Sequence, residues 1–396
     1  MFELSRRDFL KQAAILGILP YINFSVSTLQ TKSTNYPELE IQGSPGQMGM
    51  QHGRVLKKQI QKNIQFYKEW ILSGDKNRIN ELINTASRFG PVLREYIPEQ
   101  FEEIEGIAKG SGETVDDILI INARTDLKFI FEKSAAEQHS PGCTSLAIKK
   151  GKGLEALLAL GQNWDWNLHF KDTAALLRIN PDVGPSIVMF TEAGMVGKIG
   201  FNHHRLGVCL NYLKHTSNLS HEGLGVPVHN LLRTVLSCQT LSEAYNKVAL
   251  FPRCGTANFM VAQFSEIGSE ILDLEITPDA VAVIRPEKGY LLHTNHYVSP
   301  SLEGGCMSKG GISTTNRYET GYALLDSIDH QESDPVETMK QVLELREGAP
   351  YSVSRSPAPR SQSTTIAGIV MDLSRNVLYI APGSPHEHPW TSYPGA

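Results

Sequence analysis

The chain changes texture at Cys143, and this change limits what it can fold into. Upstream, apolar residues recur at helical spacing from Val55 to Leu72, from Phe101 to Lys109 and from Val115 to Ile130. Downstream come short β-rich runs at Ser145–Ile148, Leu154–Leu160, Ala174–Ile179, Ser186–Thr191 and Leu206–Leu210. Helical patterns return at Pro227–Leu236 and Ser242–Leu250, then strands at Ala257–Ala262, Glu270–Ile276, Ala280–Ile284 and Tyr290–Thr294. Helices at Tyr318–Ile328 and Pro335–Leu345 precede closing strands at Thr365–Met371 and Val377–Ile380. Such alternating blocks predict an α+β fold, with antiparallel sheets and helices packed outside them. Gly43-Ser44-Pro45-Gly46-Gln47-Met48-Gly49 punctuates the start of the folded part, and Tyr351 to Ser363 is a Ser/Pro/Arg-rich loop of the kind that lines sites.

With 396 residues, 41% of them apolar, the chain has enough apolar surface for a sizeable core. A net charge of −5 with both signs mixed along the chain argues against a nucleic-acid partner and against a polybasic membrane anchor. The front is different. Ser5-Arg6-Arg7-Asp8-Phe9-Leu10-Lys11 and the apolar Ala13 to Leu19 read as a twin-arginine export signal, too short and too Pro-interrupted at Pro20 for stable membrane insertion. Residues 1–30 are therefore set apart as a signal peptide, and a periplasmic or extracellular location is expected. Residues 31–142 form a mostly helical N-terminal segment, and residues 143–396 the remainder of one shared domain.

Five cysteines are scattered without a C-x-x-C pair or metal-finger spacing. Cys209 lies in an apolar strand-like run and reads as a small buried hydrophobe. Cys143 joins the turn signal Ser140-Pro141-Gly142 to the strand-like Thr144-Ser145-Leu146, a place where a reactive group can be presented. If the bond before Cys143 were cut, the residue would carry both a thiol and a free α-amine. That amine, with an intrinsic pKa of about 7.7–8.0, can accept the thiol's proton near neutrality. The same thiol can make the cut by attacking the Gly142 carbonyl, where the absence of a Cβ tolerates a strained backbone.

Gly142-Cys143-Thr144-Ser145 is followed by Gly161-Gln162-Asn163-Trp164-Asp165-Trp166 and His293-Thr294-Asn295-His296. Together with Gly43-Ser44-Pro45, Met48-Gly49, His52-Gly53, Glu102 to Gly110, Asn122-Ala123-Arg124-Thr125, Thr191-Glu192-Ala193-Gly194 and Gly197 to Asn202, these resemble the acyl-coenzyme A:6-aminopenicillanic acid (isopenicillin-N) acyltransferase family. That family is peptidase family C45, within the N-terminal-nucleophile hydrolases. The resemblance implies a four-layer αββα sandwich and autocleavage between Gly142 and Cys143 into two subunits. By the same token Cys143 is the nucleophile, Ser145 the hydroxyl that assists cleavage, Asp165 the active-site aspartate and Asn295 the amide that stabilises the oxyanion. The expected partner is a small-molecule acyl amide or thioester, with no cofactor. The family's Ser-Arg pair before its late strand is matched to Ser361-Gln362, so that Gln362 stands at the arginine's place and Arg360 is the nearby alternative for binding substrate. Ala257-Asn258-Phe259 stands where the family has a serine before its Ala-Phe pair.

Other readings remain open on the residues alone. An uncut, papain-like enzyme would pair Cys143 with His229 or His293. An exported binding protein would keep the fold without turnover. His293/His296, His203-His204 and His386-Glu387-His388 lack an obvious third and fourth metal ligand, so no metal site is expected. The last of these clusters reads as a solvated terminus.

Overall fold

The computed structural model describes residues 36–131, 142–220, 223–308, 311–357 and 363–396. Its strands are β1 (Glu38–Gly43), β2 (Thr144–Lys150), β3 (Leu157–Asn167), β4 (Ala174–Pro181), β5 (Ile187–Glu192), β6 (Ile199–Asn202) and β7 (Leu206–Tyr212). They continue as β8 (Ala257–Gln263), β9 (Glu270–Ile276), β10 (Val281–Ile284), β11 (Tyr290–His293), β12 (Ser363–Asp372), β13 (Val377–Pro382) and β14 (Thr391–Pro394). Two sheets result. One has eight strands in the order β1-β4-β5-β6-β7-β8-β9-β10, the other six in the order β11-β2-β3-β12-β13-β14.

Both sheets are covered on both faces, as the unbroken burial of β5 and of most of β3 shows. Between the sheets, β2 and β3 pack against β7 and β8. Outside the six-stranded sheet, Met339, Val342 and Leu343 of the helix Pro335–Leu343 close over Leu146, Ala159 and Val370. Outside the eight-stranded sheet, the helix Val228–Leu236 packs on β6 and β7. This is the four-layer αββα sandwich, and its class is α+β.

The N-terminal segment is helical from Pro45 to Phe131, apart from short connections, and its apolar side chains join the same core cluster as the sheets. Helix Pro45–Val55 starts on a capping box, with Ser44 and Gln47 satisfying each other's backbone groups. It lies unusually close to helix Pro98–Ser111. A Cβ on Gly49 would stand 2.0 Å from the Glu103 carbonyl oxygen, and one on Gly106 would stand 2.4 Å from that of Gly46. The glycines of the opening punctuation thus serve a helix–helix contact.

Four features depart from the sequence expectation. The fold begins earlier, at β1, which pairs parallel to β4 while the sheets are otherwise antiparallel. The run expected from Leu154 starts instead in a 3₁₀ turn at Gly153–Glu155, and its strand extends on to Asn167. That extension was hidden by polarity, because Gln162 and Asn163 bond buried backbone groups at Leu210, Leu343 and Val353 rather than water. Helices Ile79–Ser87 and Phe89–Tyr96, and the short strands β6 and β14, were also not anticipated. Finally, the C-terminal region is not simply solvated: Ser354 Oγ and His386 Nδ1 are 2.6 Å apart, and β14 pairs with β13.

Candidate active site

The strand order β11-β2-β3-β12 lines up one end of the six-stranded sheet. Cys143 immediately precedes β2, whose Thr144 lies opposite Asn163 of β3 and whose Ser145 lies opposite His293 of β11. Asp165 of β3 lies opposite Thr365 of β12. Asn295, Cys143, Asp165 and Thr365 therefore sit side by side on four adjacent strand ends. Residues far apart in sequence become neighbours through register alone.

Cys143 is buried, with its Sγ 3.9 Å from the Asp165 carbonyl oxygen. Burial, reinforced by the negative charge of Asp165, pushes its thiol up to about 11. Asp165 is fully buried; its Oδ1 accepts from Thr365 Oγ1 at 2.6 Å and its Oδ2 lies 3.5 Å from Arg355 Nε. Burial raises this carboxyl to about 6 against the opposing pull of Arg355 and Arg317. Asn295 is also buried. Its Nδ2 donates to the Tyr212 carbonyl at 2.9 Å and its backbone N–H to Thr314 Oγ1 at 2.8 Å.

Two arginines without an assigned role in the sequence reading complete the arrangement. Arg317, from helix Ile312–Ser327, donates through Nη1 to the Cys143 carbonyl and, at 3.0 Å, to Thr144 Oγ1. Its Nη2 donates to Asn295 Oδ1 at 2.8 Å, so one planar guanidinium ties Cys143 to Asn295. Burial, with the nearby Arg355 charge, lowers Arg317 to about 9. Arg355 leans on the junction from the Ser/Pro/Arg-rich loop. A Cβ on Gly142 would stand 2.4 Å from Arg355 Nη1, so a larger residue here would push the guanidinium aside. Ser354-Arg355 is itself a Ser-Arg pair ahead of β12, and that dipeptide was the available signal. Arg360 and Gln362 lie outside the described residues, as does the N-terminal segment read as an export signal.

Ser145 shares a face of β2 with Cys143, because side chains alternate along a strand. Its Oγ accepts from Asn211 Nδ2 at 2.6 Å, which also reaches Asn258 Oδ1 at 2.9 Å. Asn258 in turn donates to Asp273. Ser145 is thus held by a polar chain running into the eight-stranded sheet rather than by Cys143 or Asp165.

Neither histidine of the papain-like reading is joined to the thiol. His229 is buried between the Gly197 carbonyl and Thr125 Oγ1, while His293 faces the Glu275 carboxylate at 2.9 Å and the Thr294 carbonyl at 2.8 Å. All five cysteines are unpaired. Among the described residues no His, Cys, Asp or Glu cluster of three or more could hold a metal ion, and no helix is long and apolar enough to cross a membrane.

Beside Cys143 is a cavity of about 20 Å³, room for about one water, lined among others by Trp164, Trp166, Tyr212, Arg124 and Lys198. Behind it, the buried carboxylate of Glu192 receives Arg124 Nη2 at 3.0 Å together with Lys198 Nζ and the Tyr67 hydroxyl. Lys198 Nζ also lies 3.4 Å from the Trp164 ring centroid. Arg124, Trp164, Glu192 and Lys198 fall within the sequence motifs quoted above, but the motifs alone gave no hint that two basic side chains share one carboxylate.

Residues 150–387 match the family described as acyl-coenzyme A:6-aminopenicillanic acid acyl-transferase. The 40 kDa form of the acyl-coenzyme A:6-aminopenicillanic-acid-acyltransferase of Emericella nidulans is 30% identical over 339 residues, covering 84% of this chain and 88% of that protein. Among solved structures, an N-acylethanolamine-hydrolyzing acid amidase ortholog of Caenorhabditis elegans superimposes with a TM-score of 0.43 at 16% identity, over 59% of this chain and 93% of its own. A variant of the conjugated bile acid hydrolase of Clostridium perfringens gives 0.42 at 15%, over 64% and 97%. On the extent of the sequence matches, the chain belongs to the acyl-coenzyme A:6-aminopenicillanic acid acyl-transferase family and is an enzyme of its acyl-transferring kind.

Proposed function

We propose that this enzyme cuts its own chain between Gly142 and Cys143, and that the freed Cys143 then takes an acyl group from a small-molecule amide or thioester as a thioester. The acyl group passes on to water or to an amine. The observation that carries this reading is the guanidinium of Arg317, which binds the Cys143 carbonyl and Asn295 Oδ1 at once. It holds a thiol and a side-chain amide within one site. An amide carries two N–H groups, and Tyr212 takes only one, so the second is available to a developing oxyanion. In the uncut chain the buried thiol stays protonated near neutrality. Cleavage adds the α-amine, whose pKa is near ~7.7–8.0, and gives the thiol a proton acceptor on its own residue.

The twin-arginine pattern at Arg6-Arg7 supports export to the periplasm or beyond. Outside the cytoplasm acyl-coenzyme A is scarce, which favours hydrolysis over transfer. Intact mass and N-terminal sequencing of the purified protein should find a new terminus at Cys143, and Cys143→Ala should leave the chain whole and inactive. A screen of N-acyl amides and acyl thioesters then assigns the donor. Active protein found as a single uncut chain would overturn the proposal.

A further inference from the structure

Self-cleavage needs a base before the α-amine exists, since in the uncut chain that nitrogen is a peptide nitrogen. Asp165 is not placed for it. The group it offers Sγ is its backbone carbonyl, while its carboxylate is turned to Thr365 and Arg355. The cavity at Cys143 supplies another candidate. Of the side chains lining it, only Lys198 can take up a proton near neutrality, because Arg124 stays charged and the others are neutral.

Charge balance favours an uncharged Lys198. Glu192 is the carboxylate shared by Arg124 and Lys198, and all three are buried. Arg124 alone neutralises it, and a second buried cation has no further anion in that cluster. The other groups facing it add none: Tyr67 donates its hydroxyl to Glu192, and burial holds His229 well below its usual value, hence neutral. The cavity between them has room for about one water, enough to relay a proton.

We infer that Lys198 is the proton acceptor for the self-cleavage of this chain, across one water from the Cys143 thiol; this rests on the reading of Cys143 as a self-cleaving nucleophile. Neutral Lys198 gains a proton from the water as the water takes the one on Sγ. The thiolate forms a bond to the Gly142 carbonyl carbon, and the carbonyl π pair moves onto oxygen. As that pair returns, the bond from Gly142 carbon to Cys143 nitrogen breaks, and the nitrogen takes the proton back from Lys198 through the same water. Hydrolysis of the resulting thioester leaves the Gly142 carboxyl group and restores the thiol. Burial lowers Lys198 to about 7, where a base is both free and strong enough to act at neutral pH.

The test follows precursor cleavage by mass, apart from turnover of substrate. In the wild type the rate should rise with pH through about 7 and then level, since the acceptor must be unprotonated. Lys198→Arg keeps a nitrogen donor close to Glu192 but stays protonated and so cannot accept a proton, and cleavage should slow by about 100-fold or more. Lys198→Met, which keeps length without a nitrogen, should behave alike. Either variant, folded by circular dichroism and cutting at the wild-type rate, overturns the assignment. So does a wild-type profile that is flat between pH 6 and 8, which holds even if neither variant folds. A wild-type chain that is never cut at Cys143 instead defeats the underlying reading.

Discussion

Arg317 is 1% exposed, and its guanidinium donates to four oxygens of neutral groups: the Cys143 carbonyl, Thr144 Oγ1, Asn295 Oδ1 and the Ser313 carbonyl. Arg317→Met would strand these buried acceptors at about 1–3 kcal/mol each, so we expect a clearly lower denaturant midpoint together with lost turnover. Asn295→Ala addresses the chemistry more narrowly. Turnover should fall by about 10²–10³-fold in protein that still folds by circular dichroism, with a melt lowered by about 1–3 kcal/mol for each partner left unpaired, the Tyr212 carbonyl and Arg317 Nη2. A normal rate in this variant would remove Asn295 from the site. At this scale the sequence was informative where a residue sits inside a dense motif, as Cys143, Asp165 and Asn295 do. Arg317 lies in a plain helical stretch, Thr314-Thr315-Asn316-Arg317-Tyr318, where an arginine ordinarily faces water. Nothing local marks it as buried.

Helices Pro45–Val55 and Pro98–Ser111 meet through glycines, with no space for side chains between their backbones. Gly49→Ala should therefore cost about 1–3 kcal/mol in a urea melt, because the helices must separate or strain. Gly304→Ala, where a Cβ would meet nothing within 4 Å, should shift stability by no more than ~0.5 kcal/mol. Equal effects at the two positions would refute the close-contact explanation. Strands with uniform apolar character were legible from their residues, whereas β3 was only half legible. Its C-terminal half, Gly161 to Asn167, carries polar side chains into the interior, where β12 and the loop before it supply their partners. A polar residue reads as exposed until the element that satisfies it is known.

His293 and Glu275 join the two sheets, being in β11 and β9 respectively. Both ring nitrogens of His293 face acceptors, and the Asp273 and Glu275 charges overcome burial to raise its pKa above the ordinary value. Such a group adds stability that is fully present below its unfolded pKa of about 6.5 and is lost as pH rises through the higher native value. His293→Gln should therefore lose most stability at low pH, with the gap to the wild type narrowing as pH rises. Urea melts across pH 5 to 9 check this, and a constant gap would count against a charged His293. Glu275 also receives the backbone N–H groups of Val298 and Ser299, so the pair braces the loop that carries Asn295.

By itself the sequence determined the class of fold, the helical segment ahead of Cys143 and the cysteine to watch, because apolar periodicity and turn chemistry act over a few neighbouring residues. Only the tertiary structure decided which side chains surround that cysteine. Strand order and register set which ends adjoin, and burial then changes how each charge behaves. Arg355 reaches Gly142 from more than two hundred positions away, and Lys198 shares a carboxylate with Arg124 across a core that no local pattern describes.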